Sequence, residues 1–199
     1  MINGLLSTVI AYLLGAIPFG YLLTRFTTGK DVRTEGSGNI GATNVLRAAG
    51  RGAGVATLLL DLAKGYAAVW IAGMLTDSSP GWMADAALAV VVGHAFPIFL
   101  GFKGGKAVAT LTGAFLYLAP VPALTGIIVF VITAAVTRYV SAGSIVSVAT
   151  FPLGLWLIQH PTLNELLAAL IGAAIVVYRH KENMQRMRAG KEPAFRWSI

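Results

Sequence analysis

Residues 53–75 read Ala-Gly-Val-Ala-Thr-Leu-Leu-Leu-Asp-Leu-Ala-Lys-Gly-Tyr-Ala-Ala-Val-Trp-Ile-Ala-Gly-Met-Leu, with Asp61 and Lys64 the charged residues in an otherwise apolar run. A helix needs about 20 mostly apolar residues to cross the hydrocarbon of a bilayer, so this stretch predicts a transmembrane helix. Further apolar runs lie at roughly residues 4–24, 83–100, 107–119, 123–137, 142–158 and 163–178, each bounded by polar or turn-forming residues. The predicted fold is therefore all-α: a polytopic membrane helix bundle of about seven transmembrane helices in a single membrane domain, residues 1–199. The runs at 107–119 and 123–137 are short for a span, and a re-entrant hairpin over 107–137 is the alternative there.

Composition excludes the other broad classes. The chain has 199 residues, 56% of them hydrophobic and 12% charged, with a mean hydropathy of +0.74. A soluble domain carries about twice that charged fraction. Cysteine is absent, which removes disulfides, thiolate metal sites and a thiol nucleophile.

The net charge is +7, and its placement says more than its size. Arg25, Lys30, Arg33, Arg47 and Arg51 follow the first apolar run, Lys103 and Lys106 follow a later one, and Arg138 stands alone. Arg179, Lys181, Arg186, Arg188, Lys191 and Arg196 close the chain, leaving Lys64 as the one base inside an apolar run. If basic loops face the cytoplasm, the N-terminus is outside and the C-terminus inside, with cytoplasmic motif loops at about 27–52, 101–106 and 179–199. The first base comes after the first apolar core, whereas a secretory signal puts its bases before it, so that run reads as a retained span. Small residues such as Gly50-Arg51-Gly52-Ala53-Gly54 and Gly172-Ala173-Ala174 read as close-packing positions between helices.

Three polar stretches fall on the same predicted side. In Thr34 to Arg47, Gly36, Gly38 and Gly41 leave backbone N–H groups open to an anion, Ser37, Asn39, Thr43 and Asn44 add neutral donors, and Arg47 adds a fork suited to phosphate. A turn with helix caps would use the same residue types, but the length and donor content of the loop favour a site. In Gly93 to Lys106, the run Lys103-Gly104-Gly105-Lys106 sets two ammonium groups and backbone donors just ahead of a helix, where phosphate is the natural ligand. The spacing of a Walker A loop is absent, and His94 fits packing at least as well as catalysis. In Tyr178 to Glu192, Arg179, Glu182, Asn183 and Arg186 share a helical face. From Arg186 onward that stretch reads as a basic surface for anionic lipid, whereas headgroup attraction needs neither His180 nor Asn183. Asp61 and Lys64, three apart inside a span, are expected to pair with each other or with a polar site, the structural role being favoured. Ser141 and Ser144 fit helix capping and anion donation equally.

The inferred ligand has an anionic head and an apolar tail. Three histidines at different levels and no carboxylate cluster argue against a metal centre. A serine acyl-enzyme lacks the Gly-x-Ser-x-Gly elbow. No cofactor and no nucleic acid is implied. The rival class is a transporter of phosphate or an organic phosphate, but the polar residues gather toward one face instead of mid-depth, and paired broken helices from repeats are not apparent.

Ser37-Gly38-Asn39-Ile40-Gly41-Ala42-Thr43-Asn44, Gly93-His94 through Lys103-Gly104-Gly105-Lys106, and Arg179-His180 through Glu182-Asn183 resemble the three signature motifs of the bacterial membrane acyl-phosphate:glycerol-3-phosphate acyltransferase family. The resemblance spans essentially the whole chain in size, span count and motif order. It implies transfer of a fatty acyl group from acyl phosphate to the 1-hydroxyl of sn-glycerol 3-phosphate, at the cytoplasmic face of the bacterial inner membrane, yielding lysophosphatidic acid and phosphate for phospholipid synthesis. It also implies a glycerol-phosphate site at Lys103, Gly104, Gly105 and Lys106, a first-motif site at Ser37, Asn39 and Arg47, and a third at His180, Glu182 and Asn183. On this basis the expected catalytic group is Ser37, Asn39, Arg47, Lys106, His180 and Asn183. Gly38, Gly41, Asn44, Lys103, Gly104, Gly105, Ser144 and Glu182 are expected to bind substrate.

Overall fold

A computed structural model describes residues 1–194. The expected C-terminal loop therefore lies within it only to Ala194, and Arg196 falls outside the described residues. The chain folds into helices α1 (Ile2–Ala16), α2 (Phe19–Thr28), α3 (Ala42–Leu75), α4 (Pro80–Ala95), α5 (Val108–Leu118), α6 (Pro120–Thr137), α7 (Val140–Gln159), α8 (Leu163–Arg179) and α9 (Lys181–Arg188). Among the described residues there is no strand.

Five segments are long and apolar enough to cross a membrane: Ile2–Thr28, Ala42–Leu75, Pro80–Leu100, Pro120–Thr137 and Val140–Gln159. A sixth results if α8 and α9, bent by 52°, count as one span. The run expected at 107–119 forms only the eleven-residue α5, about 16 Å long and roughly half the hydrocarbon thickness. Length thus favours α6 over α5, which ends at the Ala119-Pro120 junction with its Leu118 carbonyl accepting from Gln159 Nε2 at the end of α7, at 3.1 Å.

Other boundaries move for identifiable reasons. The run at 4–24 breaks at Ile17-Pro18, because proline lacks an N–H and holds its predecessor extended, with Ile17 at φ −63°, ψ 115°. The Ile17 carbonyl is recovered by the Lys64 ammonium at 3.0 Å, from the neighbouring α3. The loop expected over 27–52 is shorter, since α2 continues to Thr28 and α3 already begins at Ala42. Gly50 at φ 86°, ψ 177° then kinks α3, and a Cβ there would meet nothing within 4 Å, so Gly50 supplies conformation and not the helix packing expected of it.

Close packing occurs elsewhere along the chain. Gly15 and Gly93 face each other's helices across α1 and α4, and Gly65 and Gly113 do the same across α3 and α5. A Cβ at any of these would overlap the opposing backbone, as expected for helices held together in lipid by dispersion rather than by a hydrophobic drive. The interior is built largely of Ala, Val and Gly, while Leu59, Trp70, Ile128, Val131 and Trp156 lie on the outside. Helix α6 packs chiefly on α7 and more lightly on α5, so the α6–α7 hairpin stands away from α3. That separation opens the site.

Candidate functional site

A cavity of about 870 Å³ lies between the kinked start of α3, the loop before α5, the start of α7 and the α8–α9 bend. Its size suits a small polar head with part of an attached chain. Ser37, Asn39, Arg47, Lys106, His180 and Asn183 all line it, although they come from three stretches far apart in sequence.

The first stretch is a self-supporting loop. Asn44, 2% exposed, accepts the Ser37 N–H at 2.9 Å and donates to the carbonyls of Glu35 and Asn39 at 3.0 and 2.9 Å. Its amide is committed to the backbone, so Asn44 shapes the site where the sequence suggested that it binds substrate. Two of the three glycine N–H groups expected to meet an anion are engaged as well: Gly38 donates to the Glu35 carbonyl and Gly41 to Asn39 Oδ1, at 2.9 and 2.8 Å, while Gly36 lines the cavity. Donors remain in the Asn39 amide group, the Ser37 hydroxyl, and the α3 amides of Ala42 and Thr43, which as first helical residues have no partner within the helix. Arg47, one turn on, carries no ion pair among the described residues and faces the same cavity.

The second stretch holds out one cation. Lys106 lines the cavity, whereas Lys103 is exposed and Gly104 and Gly105 are buried behind it. A Cβ at Gly105 would overlap the His94 ring, and one at Gly104 would meet the His94 and Ala95 carbonyls. Arg179 donates from Nε to the Gly105 carbonyl at 3.0 Å and from Nη2 to the Gly104 carbonyl. The glycine pair thus permits a tight clasp that aims Lys106, and its own backbone does not line the cavity. Lys106 donates to Asn183 Oδ1. Burial, with the nearby Arg186 charge adding to it, pushes the Lys106 ammonium down to about 8.

The third stretch supplies His180, Asn183 and Arg186. His180 Nδ1 lies 2.7 Å from the Val176 carbonyl, which can only accept, so Nδ1 carries the proton and Nε2 is the free nitrogen. Glu182 is exposed and outside the cavity, as is Gly38, while Gly41 and Ser144 line it. Ser144 Oγ donates within its helix to the Val140 carbonyl at 3.0 Å.

Around Asn183 the lining also includes Arg186 and Glu192, to which sequence reasoning assigned no site role, and Ser141, which stood even between helix capping and anion donation. Glu192 accepts from Ser141 Oγ at 2.7 Å, Asn183 Nδ2 at 2.6 Å and Arg186 Nε at 2.8 Å. Its signal in the sequence is slight: a single acid following a run of bases. Below the polar ring the lining turns apolar, with Val55, Leu58 and Leu62 of α3 facing Ile127 and Phe130 of α6. Asp61 and His94 lie deeper, and His94 Nδ1 stands 3.2 Å from Thr110 Oγ1 and 3.6 Å from Asp61 Oδ1.

Fold and site together define a multi-pass membrane protein with a cationic head-binding cavity above an apolar groove. Residues 5–190 match the family described as glycerol-3-phosphate acyltransferase, and the chain belongs to that family of acyltransferase enzymes. It is 45% identical over 196 residues to the glycerol-3-phosphate acyltransferase of Geobacter sulfurreducens, covering 98% of this chain and all of the relative. It is 46% identical over 190 residues to that of Nitrobacter winogradskyi, covering 96% and 95% of the two chains. Its fold resembles that of PlsY, an integral membrane glycerol 3-phosphate acyltransferase, at a TM-score of 0.92 and 39% identity for the glycerol 3-phosphate form, over 97% of this chain and 96% of that one. For the lysophosphatidic acid form of PlsY the TM-score is 0.87 at 38% identity, over 97% and 95% of the chains. The protein is thus a multi-pass bacterial membrane acyltransferase.

Proposed function

We propose that the enzyme transfers a fatty acyl group from acyl phosphate to the 1-hydroxyl of sn-glycerol 3-phosphate, releasing lysophosphatidic acid and inorganic phosphate. The observation that carries this reading is the gathering of Ser37, Asn39, Arg47, Lys106, His180 and Asn183 around one cavity. Arg47, Lys106 and the Asn183 amide clamp the acceptor phosphate, while His180, whose bare Nε2 can only accept, holds an acceptor hydroxyl and Ser144 Oγ stays on the Val140 carbonyl. Ser37, Asn39 and the first amides of α3 hold the donor phosphate and the oxyanion that develops at the carbonyl.

An acyl phosphate is a mixed anhydride with a good leaving group, so positioning and charge stabilisation replace a covalent intermediate. The acceptor oxygen attacks the carbonyl carbon, the bond from that carbon to the phosphate oxygen breaks, and the hydroxyl proton leaves with the departing phosphate. Two phosphates 4 Å apart repel by about 4 kcal/mol per pair of unit charges at an effective dielectric of 20, so several cations are needed. The apolar faces of α3 and α6 receive the acyl chain, and the gap between them lets it pass to the lipid.

The domain comprises residues 1–199, with the N-terminus outside and the cavity facing the cytoplasm of a bacterial inner membrane. In support, the cavity's cations Arg47, Lys106 and Arg186 all come from the basic stretches that the charge rule puts inside.

The direct test uses the purified full chain in detergent with a long-chain acyl phosphate: phosphate release is expected only when glycerol 3-phosphate is present. Release without the acceptor, or vesicle uptake of phosphate without turnover, overturns the assignment. His180→Gln separates holding the acceptor from base catalysis. We expect a raised glycerol 3-phosphate KM with the pH profile of kcat retained, whereas loss of the acidic limb of that profile would make His180 the base.

A further inference from the structure

Glu192 is the one carboxylate among the hydrogen-bonded residues of the polar ring, and the activity proposed above gives it no task. It lies two residues past the stretch that matches the family. Its side chain is 6% exposed in an otherwise open C-terminal segment, and its two oxygens receive three protein donors. A carboxylate is buried this far only where it is paired and hydrogen-bonded. Burial alone would raise its pKa, but the hydrogen bonds from Ser141, Asn183 and Arg186 outweigh that and hold the carboxyl below its usual range.

The pattern of donors gives this carboxylate a direction. Lys106 is a donor only and a carboxylate is an acceptor only, so Asn183 between them has one workable orientation: Oδ1 to the ammonium, Nδ2 to Glu192. The same carboxylate holds Arg186 through its other oxygen and ties in Ser141 at the start of α7. One group therefore fixes side chains on α7, on α9 and, through Asn183, on the loop ahead of α5. We propose that Glu192 is a positioning residue of the acceptor site, setting the array of Lys106, Asn183 and Arg186 that receives the glycerol-phosphate anion.

The opposite possibility is concrete. A carboxylate on donors that suit a phosphate can act as a stand-in anion that the substrate must displace, and the two roles predict opposite signs for a Glu192 variant. Removing a positioning residue weakens acceptor binding, while removing a competitor tightens it. Lys106 gives a second readout, because it is faced by Arg179, His180, Glu182, Arg186 and Glu192, with Arg47 across the cavity. Of these, Glu192 is an acid that favours the charged lysine, so its neutralisation moves loss of the Lys106 proton to lower pH.

The experiment measures initial rates of the full-length enzyme and of Glu192→Gln and Glu192→Asp, with palmitoyl phosphate as donor and varied glycerol 3-phosphate, from pH 6 to 9. For Glu192→Gln the expected result is an acceptor KM raised about tenfold, kcat within about twofold, and the alkaline limb of kcat/KM moved acidward. Glu192→Asp keeps the charge, so its alkaline limb stays in place and its KM rises less. An unchanged or lowered KM in both variants overturns the proposal, and so does a Gln variant whose alkaline limb does not move. If the Gln variant is not recovered as a monodisperse species, the aspartate variant decides: a raised KM supports positioning and a lowered one overturns it. The inference rests on the proposed reaction. Absence of acceptor-dependent release by the unaltered enzyme removes both, whereas normal release with insensitive variants removes only the role of Glu192.

Discussion

Lys106→Met is expected to lower kcat/KM for glycerol 3-phosphate by about a hundredfold or more, mainly through KM. The ammonium is the cavity-facing cation of the second motif, and it is held to Asn183 by a charge-assisted hydrogen bond. Truncating one partner of a buried charged contact costs about 2 to 5 kcal/mol, and about 1.4 kcal/mol is tenfold in affinity. Methionine keeps much of the stem volume, so lost packing does not mimic the effect. The pH dependence follows from the same residue. Lys106 is charged below about 8 and neutral above, so kcat/KM for the acceptor is expected to fall as pH rises through that value. With acceptor bound, the phosphate favours the ammonium, and kcat at saturation is expected to persist to higher pH. A Lys106→Met enzyme that saturates normally with glycerol 3-phosphate would show that the clamp lies elsewhere.

The second large effect is on stability. Asp61 and Lys64 are each 4% exposed, and their charged atoms are 2.8 Å apart in the middle of α3. Lys64 also donates to the Ile17 carbonyl left by the proline break, which ties α3 to the α1–α2 junction. Lys64→Met leaves a buried carboxylate without its cation and removes one of the two donors on the Ile17 carbonyl, the Phe19 N–H remaining. A broken buried pair costs about 3 to 5 kcal/mol, because the surviving charge is uncompensated. In a chain of this size that corresponds to a midpoint lowered by roughly 10 °C in a thermal unfolding experiment in detergent. Asp61→Asn combined with Lys64→Met is expected to recover much of the loss, since the stranded charge is then gone. A single variant that melts with the unaltered protein would mean that the pair carries no structural load.

Much of the site was legible because its residue types are costly in a membrane. A lysine, an arginine, a histidine and two asparagines beside apolar runs need a reason to be there, and Arg47, Lys106, His180, Asn39 and Asn183 all line the cavity. The three-residue spacing of Asp61 and Lys64 leaves pairing with each other or with a polar site open, and the structure pairs them at 2.8 Å. Glycine was read less well. Gly104 and Gly105 suggest a phosphate cradle by analogy with other glycine-rich loops, but their lack of a Cβ lets His94 and the carbonyls beneath approach closely, behind the lysine. Asn44 looks like one more donor in a polar loop, yet its amide binds the loop's own backbone. Residue type announces a capacity for hydrogen bonding and does not say which partner is near.

The sequence by itself determined the class: apolar runs of spanning length leave helices as the way to satisfy the backbone in lipid, and the placement of bases predicts which ends lie together. The break at Pro18 is a local steric matter as well, yet it was not read within the run at 4–24, where hydropathy alone continues across it. Only the tertiary structure decided that α5 is eleven residues long and ends against Gln159 of α7, that α6 and α7 stand off from α3 to open the groove, and that Glu192 folds back to join Ser141, Asn183 and Arg186. Periodicity and propensity act over one or two helical turns. These last features depend on contacts between residues separated by as many as 51 positions, and such contacts exist only once the helices have packed.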